Sequence, residues 1–296
     1  MSIIKAFKAG FGFLSVIPVG ITMEGIEALM KNLYMYSIVG FILGTIIGVA
    51  AFIAESVLAP LPAAIVIMIV TYGIIWFNHL DGVADMGDGM TAHGSLEKKR
   101  KALKDMALGV GGIAFVSLFM LSFYTALMAL ESTAGGISEL ASLPYMGAAS
   151  YLFSAITDAG ISGDGGKILI TAALMALTVI IAETCGKQAM LTIATFGKSF
   201  QEGLGSMTIA GGTRRNFLIG MMFTVIVSGL LLGLAGWAAL AVSTAAAFII
   251  LKISNRHFKG LNGDGIGMAN EIGRVAAIAS VAFILHILSG GMSWML

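Results

Sequence analysis

Long apolar runs without charge alternate with short polar segments along the whole chain. Several of these runs reach the roughly 18 residues that indicate a helix crossing a bilayer. The pattern predicts about seven transmembrane helices, preceded by an amphipathic helix over 1–32 that lies at the membrane interface. The predicted spans lie at about 33–55, 60–79, 108–130, 167–186, 217–235, 236–252 and 273–293.

Composition agrees with this pattern and narrows the class of protein. Hydrophobic residues make up 58% of the 296 residues, charged residues only 11%, and the mean hydropathy is +0.96. We therefore predict an all-α, polytopic helical membrane protein that forms a single domain over 1–296. The single cysteine, Cys185, excludes an internal disulfide framework. We expect contact with membrane lipids and no nucleic-acid partner, while the oligomeric state is not readable from the sequence.

The distribution of basic residues predicts the orientation in the membrane. If the N-terminus is cytoplasmic, every Lys and Arg except Lys167 falls inside or at an inner helix end, as expected of cytoplasmic loops. The predicted outer segment is 131–166, in which the apolar stretch 143–157 is short for a span and is not counted as one. The predicted cytoplasmic segments are 80–107, 187–216 and 253–272.

Three aspartates close the second apolar run and indicate a cation site. On a helix, Asp81, Asp85 and Asp88 would lie along one stripe, because they are four and then three residues apart. Like charges at this spacing repel, and a divalent cation relieves the repulsion. Oxygen ligands suit Mg²⁺, which takes one or two carboxylates and completes its shell with water and substrate phosphates. A solvated helix end is the alternative interpretation.

The three predicted cytoplasmic segments share an unusual mixture of residues. Each combines glycines with basic residues and with carboxylates or amides, as in 97–112, 201–215 and 256–271. Carboxylates hold cations, Arg and Lys neutralise phosphate charge, and glycines let backbone N–H groups approach a ligand. The mixture therefore favours a metal-bridged polyphosphate substrate.

Five motifs along the chain together resemble cobalamin synthase, the adenosylcobinamide-GDP ribazoletransferase family of prokaryotic integral membrane enzymes. They keep their order from one end of the chain to the other. Gly265 and Met268 depart from the family pattern, and 131–165 looks like an insertion on the outer side. The motifs are 13–19, 79–89, 100–105 followed by Gly109, 202–205 and 263–271.

The resemblance implies a phosphoryl transfer in the last steps of cobalamin biosynthesis. A hydroxyl of α-ribazole, or of its 5′-phosphate, attacks the phosphorus nearest the corrinoid arm of adenosylcobinamide-GDP, and GMP leaves. Such a reaction needs cations across the pyrophosphate and a group that orients or deprotonates the hydroxyl. The resemblance also implies Mg²⁺ as cofactor, two small-molecule substrates, and a site facing the cytoplasm from the cell membrane.

Candidate roles follow from matching residues to these demands. Asp81, Asp85 and Asp88 are the candidate Mg²⁺ ligands, with Asp264 as a further one, and Asp88 or Asp105 is the candidate base. His79 could donate to a ligand carboxylate. The remaining substrate-binding candidates are Arg100, Lys104, Glu202, Arg214, Arg256, Asn270 and Glu271.

Two other classes of protein remain as alternatives. A CDP-alcohol type membrane phosphotransferase also uses an aspartate-rich helix over metal ions, but the sequence after Asp85 lacks the Ala-Arg and paired aspartates of that signature. A transporter would carry ionisable residues in mid-span and broken helices in corresponding repeats. Neither feature is evident from the sequence.

Overall fold

A computed structural model describes residues 2–105, 107–133, 146–161 and 163–288. In these ranges the chain forms helices joined by short loops, and its only β-structure is an isolated bridge between Ser199 and Leu261. The helices are α1 Ser2–Leu14, α2 Met23–Lys31, α3 Met35–Val57, α4 Pro60–Ile75, α5 Asn78–Thr91, α6 Leu96–Ala102, α7 Val110–Thr133, α8 Ala148–Asp158, α9 Gly163–Phe196, α10 Leu204–Gly211, α11 Arg214–Phe258 and α12 Gly263–Leu288.

The predicted all-α membrane architecture is confirmed. Among the described helices, α3, α7, α9, α11 and α12 are each long and apolar enough to cross a membrane, and α4 with α5 forms a bent pair that adds up to a sixth crossing. Helix α11 is itself divided at Gly233, whose φ of 54° is not helical. The Trp237 ring N–H donates to the Val225 carbonyl at 3.1 Å, so the two arms of α11 fold back on each other.

Some predicted boundaries were wrong. The N-terminal segment forms two helices, α1 and α2, instead of one. The segment 187–216 was predicted as a loop, but α9 continues to Phe196 and carries Lys187 fully buried. Within the short apolar stretch 143–157 the described part belongs to α8, an 11-residue helix. Much of the predicted insertion and the end of the last span, 134–145 and 289–293, lie outside the described residues.

Helix α9 lies at the centre of the bundle and packs against α3, α11 and α12. Glycines at every fourth position of α3 face it. A Cβ atom at Gly40 would lie 2.6 Å from the Lys187 side chain, and one at Gly44 or Gly48 would lie 2.9 Å from the nearest α9 atom. Small residues thus let the two helices approach closely, as is common between membrane helices.

The chain turns sharply between α4 and α5, and this turn positions the aspartate helix. The two helices meet at 97°. Trp76, at the corner, has a positive φ of 61°, which is strained for a residue with a side chain. Phe77 stacks on Tyr72 with ring centroids 5.3 Å apart and holds the corner in place. Because of this turn, α5 lies between α7 and α12 instead of continuing α4.

Candidate functional site

Close helix crossings bring the carboxylates of α5 and α12 together. A Cβ atom at Gly82 would lie 2.6 Å from the Asp264 carbonyl oxygen, and one at Gly267 would lie 3.2 Å from the His79 backbone. Both positions therefore depend on glycine for the contact between α5 and α12. On the other side of α5, a Cβ at Gly87 would lie 2.8 Å from the Gly111 carbonyl oxygen, which shows that α7 approaches equally closely.

Asp85 is the centre of a negatively charged group. It is partly buried on α5, and the charges of Asp264, Asp81 and Asp88 all act on it. Asp264 lies in the first turn of α12, and its carboxylate accepts a hydrogen bond from the Asn262 amide. The structure thus brings the predicted α5 aspartates near Asp264, which comes from the other end of the sequence.

The carboxylates form an open acidic surface and not a closed cage. Among the described residues, no group of three or more His, Cys, Asp or Glu side chains lies close enough to hold a metal ion by itself. The donor set consists of oxygen atoms only, which fits a hard cation such as Mg²⁺ that uses one or two protein carboxylates and takes further ligands from phosphate and water. The residues present are therefore compatible with the predicted cofactor.

Asp88 differs from the other carboxylates because both of its oxygens have backbone partners. The Gly109 N–H donates to Oδ2 at 2.8 Å, and the Gly112 N–H donates to Oδ1 at 2.7 Å. These N–H groups belong to the start of α7, where the backbone donors have no partner within the helix. Asp88 thus joins α5 to the N-terminus of α7.

Basic residues of α6 and the following loop lie beside the acidic surface. The Arg100 guanidinium donates to the Phe258 carbonyl at 3.1 and 2.7 Å and lies 4.4 Å from the centre of the Phe200 ring. The charge of Lys104 acts on Asp264. Arg100, Lys101, Lys104 and Phe200 line a cavity of about 640 Å³. A positively charged cavity therefore adjoins the carboxylates.

Asp105 lies between this cavity and the start of α7. It is exposed, accepts a hydrogen bond from the Ala107 N–H at 3.1 Å, and lines the basic cavity. It also lines a neighbouring cavity of about 530 Å³ together with Asp88 and Gly109. Both candidate bases thus lie near the basic cavity, although only Asp88 is engaged at both oxygens.

Three predicted substrate-binding residues are exposed, and the structure does not bring them to the carboxylates. Glu202, Arg214 and Arg256 form no ion pair with any of the described aspartates. Arg214 is the first residue of α11. Arg256 lies in the last turn of the same helix, and because the two arms of α11 fold back on each other at Gly233, both ends of the helix lie at the same end of the bundle. Their predicted contacts with phosphate stay predictions.

Asn270 and Glu271 are fully buried within the helix bundle. The Asn270 amide donates to Glu271 at 2.8 Å, and its nitrogen lies 3.3 Å from Nδ1 of His79. Lys187 donates to the Asn270 oxygen at 2.7 Å, and the Tyr72 hydroxyl donates to Glu271 at 2.8 Å. In the structure these two residues therefore contact protein groups, and His79 connects them to the aspartate helix.

The same contacts extend into a buried ionic network. Arg274 binds Glu183 and, at 2.6 Å, Glu271. Lys187 lies 3.3 Å from Glu183. Two acidic and two basic side chains thus compensate one another inside the membrane region, where an unpaired charge would be very unfavourable.

Sequence reasoning did not single out Lys187, Arg274 or Tyr72. A usable signal was present, because Glu183 and Lys187 are four residues apart and Glu271 and Arg274 three apart, the spacings at which opposite charges meet on a helix. Charged residues inside an apolar helix that pair in this way are expected to face the bundle interior. The helix boundaries had to be known first, since Lys187 was predicted to lie in a loop.

The helices and this site define an integral membrane protein whose polar side chains suit a phosphate-bearing substrate. The family model for cobalamin-5-phosphate synthase matches residues 6–282. The chain therefore belongs to the cobalamin-5-phosphate synthase family, and the resemblance seen in the sequence motifs is confirmed.

Curated relatives agree with this membership over their full length. The chain is 44% identical to adenosylcobinamide-GDP ribazoletransferase of Methanosarcina mazei, an alignment that covers 100% of this chain and 99% of the relative. It is 44% identical to the protein of the same name from Methanosarcina barkeri, with the same coverage. The protein so named from Methanococcoides burtonii is 38% identical over 98% of this chain and 97% of its own length. No solved structure matches the chain.

Proposed function

We propose that the chain is an adenosylcobinamide-GDP ribazoletransferase, which joins adenosylcobinamide-GDP to α-ribazole or α-ribazole 5′-phosphate and releases GMP. Relatives at 44% identity carry this name over the whole chain. The observation that carries the proposal is the carboxylate group around Asp85, since it lies beside a basic cavity and near Lys104. Breaking a pyrophosphate requires this pairing of cation ligands and positive side chains.

The proposed Mg²⁺ site uses one or two of three carboxylates, those of Asp81, Asp85 and Asp264. They come from two helices, and their mutual repulsion favours binding of a divalent cation. When bound, the cation would neutralise charge on the pyrophosphate and so favour departure of GMP. The absence of a closed carboxylate cage agrees with a cation that also binds substrate phosphate.

The basic cavity is the proposed position of the GDP group. Arg100 is fixed by the Phe258 carbonyl and by the Phe200 ring, so its guanidinium needs little ordering when an anion binds. Lys101 and Lys104 add positive charges to the same cavity, which the carboxylates of Glu97 and Asp105 also line. The charge of Lys104 acts on Asp264. The diphosphate would therefore extend past Lys104, from the cavity to the cation beside Asp264.

The two candidate bases differ in how many hydrogen bonds their carboxylates already accept. Asp88 is proposed to position α5 against α7, since both of its oxygens already accept backbone hydrogen bonds. Asp105 accepts one such bond and faces two cavities, which makes it the better candidate to take the proton of the attacking hydroxyl. The buried network holds His79, and through it the start of α5, in a fixed position.

The test is an assay of the purified protein in detergent with adenosylcobinamide-GDP, α-ribazole and Mg²⁺. We expect the cobamide product and GMP in equal amounts, and loss of both when the metal is removed with a chelator. Asp81→Asn and Asp85→Asn should each lower kcat by about a hundredfold or more. Asp158→Asn, an exposed aspartate of α8, is the matched control and should retain full activity.

Two results would contradict the proposal. The first is absence of product from the wild-type protein when both substrates and Mg²⁺ are present. The second is full activity of Asp85→Asn at limiting Mg²⁺ concentration, because the centre of the carboxylate group would then have no part in the reaction.

A further inference from the structure

A second cavity opens beside Asp264, and no described Lys or Arg is among its lining residues. It has a volume of about 390 Å³ and lies between α1, α3, α5, α10 and α12. Its lining is largely apolar and includes Phe13, Leu204 and Ile266. Asp264 and His79 are among the polar residues that border it. A small apolar ligand held here would therefore lie next to the carboxylate group.

One buried polar group of this cavity has no hydrogen-bond partner among the described residues. Tyr36 is fully buried, and its hydroxyl makes no hydrogen bond with the described residues. The Thr208 hydroxyl lies beside it and donates to the Leu204 carbonyl at 2.9 Å, so Thr208 is an acceptor for Tyr36, but the two hydroxyls do not reach hydrogen-bonding geometry. Buried polar groups in folded proteins are almost always paired, so an unpaired hydroxyl that lines a cavity points to a ligand that supplies the partner.

The walls of the cavity suit a flat aromatic group. Phe13 stacks on Tyr36 with an angle of 15° between the rings and 6.1 Å between their centroids. Glycines 12, 205, 263 and 267 also line the cavity and place backbone there in the absence of side chains. Gly205 cannot easily be replaced by a larger residue, because a Cβ there would lie 2.5 Å from the Gly263 nitrogen. An apolar lining with stacked aromatic rings and exposed glycine backbone favours a fused aromatic ring system.

We infer that this cavity binds the aromatic base of the acceptor nucleoside, with the Tyr36 hydroxyl donating a hydrogen bond to the unprotonated ring nitrogen of that base. The inference rests on the proposed function. The base of α-ribazole is apolar except for this one nitrogen, which matches a largely apolar cavity in which the Tyr36 hydroxyl lacks a hydrogen-bond partner among the described residues. With the base bound there, its ribose would extend towards Asp264 and the other carboxylates.

The other substrate fits this cavity poorly. A corrin ring with its side chains is much larger than about 390 Å³. Guanine carries several donors and acceptors along one edge, and the Tyr36 and Thr208 hydroxyls could pair with few of them. The basic cavity, which Arg100, Lys101 and Lys104 line, has the charge that a nucleoside diphosphate requires. The two substrates would thus approach Asp264 from two separate cavities.

The test compares Tyr36→Phe with the wild-type protein, using two acceptors that differ in one atom. One acceptor is α-ribazole, and the other is the corresponding α-riboside of 5,6-dimethylindole, in which a C–H group replaces the ring nitrogen. For α-ribazole we expect Tyr36→Phe to raise KM by about three- to tenfold, the value of one hydrogen bond. Its kcat and the KM for adenosylcobinamide-GDP should be unchanged. For the indole analogue the variant and the wild-type protein should be equal.

Tyr34→Phe is the matched control, because Tyr34 lies two residues away and does not line the cavity. It should change neither KM.

Titration calorimetry with α-ribazole alone measures binding without turnover, so it separates failure of this inference from failure of the proposed function. Tyr36→Phe should also melt at the wild-type temperature in the absence of ligand, since it removes a hydroxyl that has no partner. Equal losses with both acceptors, a raised KM for adenosylcobinamide-GDP, or unchanged α-ribazole binding would each overturn the inference.

Discussion

At the scale of single residues, the carboxylates of the site differ in their partners. Asp85 has other carboxylates around it, whereas Asp88 accepts hydrogen bonds from the first backbone N–H groups of α7. The surroundings of Asp85 favour an added cation. The Asp88 carboxylate already has its hydrogen bonds, because at a helix N-terminus it pairs with donors that the helix leaves unpaired. Neighbouring aspartates of one helix can therefore serve binding and structure separately.

Substitutions at Asp88 and Asp85 should separate the structural role of a carboxylate from its role in cation binding. Asp88→Ala removes both hydrogen bonds and should lower the free energy of unfolding by about 1–2 kcal/mol, as loss of a helix cap does. Asp88→Asn keeps acceptor capacity and should be intermediate. Asp85→Asn removes a repelling charge, so it should lose activity without losing stability. Denaturant titration in detergent gives the comparison. If Asp88→Ala were as stable as wild type, the capping role would be wrong.

Substitutions within the buried ionic network should lower the stability of the protein more than those at Asp88. Lys187→Met leaves the Glu183 and Glu271 charges with Arg274 as their only compensation, which should destabilise the protein by about 3–5 kcal/mol. Lys252→Met, at an exposed position, is the control and should have little effect.

A second substitution tests whether lost charge balance is the reason why Lys187→Met destabilises the protein. The double variant Lys187→Met, Glu183→Gln restores equal numbers of buried acidic and basic groups and should recover part of the lost stability. Thermal unfolding of the purified single variants, Lys187→Met and Glu183→Gln, and of the double variant gives the comparison. A double variant that is less stable than the sum of its single changes would contradict the assignment of the network as a balanced set of charges.

At the scale of helices, the site depends on how closely α5 crosses α12. Gly82→Ala places a Cβ where the Asp264 carbonyl oxygen lies, so the helices must separate. We expect the Mg²⁺ concentration for half-maximal activity to rise and kcat to fall by about tenfold or more, because small displacements of catalytic groups are costly. An activity titration with Mg²⁺ measures both effects.

Gly73→Ala is the matched control for this helix crossing. A Cβ at Gly73 would meet nothing within 4 Å, so the change should leave activity intact. It should slightly stabilise the protein, since alanine is a better helix former than glycine. Equal Mg²⁺ requirements for Gly82→Ala and wild type would show that the crossing does not set the position of the carboxylates.

The same crossing explains which parts of the site the sequence could predict. The α5 aspartates were found because their spacing within one helix is visible in the chain. The nearness of Asp264 was inferred through resemblance, since no local pattern links residues so far apart. The bend at Trp76 was not predicted, because a positive φ at a tryptophan depends on the packing around it. Lys187 was misplaced because a charge usually marks a helix end, and one of its two buried partners, Asn270, comes from another helix.

At the scale of the whole molecule, the acidic surface, the basic cavity and the apolar cavity all lie around the α5–α12 crossing. Lys104 acts on Asp264, which borders the apolar cavity, so these regions are contiguous. Helix α7 then leads away from this region, and α8, a later element of the chain, packs against α9 and against α11 near its break at Gly233. If basic loops are cytoplasmic, both proposed substrates enter from the cytoplasm and α8 lies outside the cell.

Cysteine labelling on intact cells tests this orientation. Cys185 is fully buried, so the wild-type protein should remain unlabelled by a membrane-impermeant maleimide and serve as the background. Asp158→Cys, on exposed α8, should be labelled on intact cells, whereas Lys98→Cys, on exposed α6, should be labelled only after permeabilisation. The reverse result would place the carboxylates on the outer face, where the corrinoid and the nucleoside would have to be supplied from outside the cell. Because the basic residues of α6 also line the proposed GDP site, that outcome would contradict the orientation and the source of the substrates together.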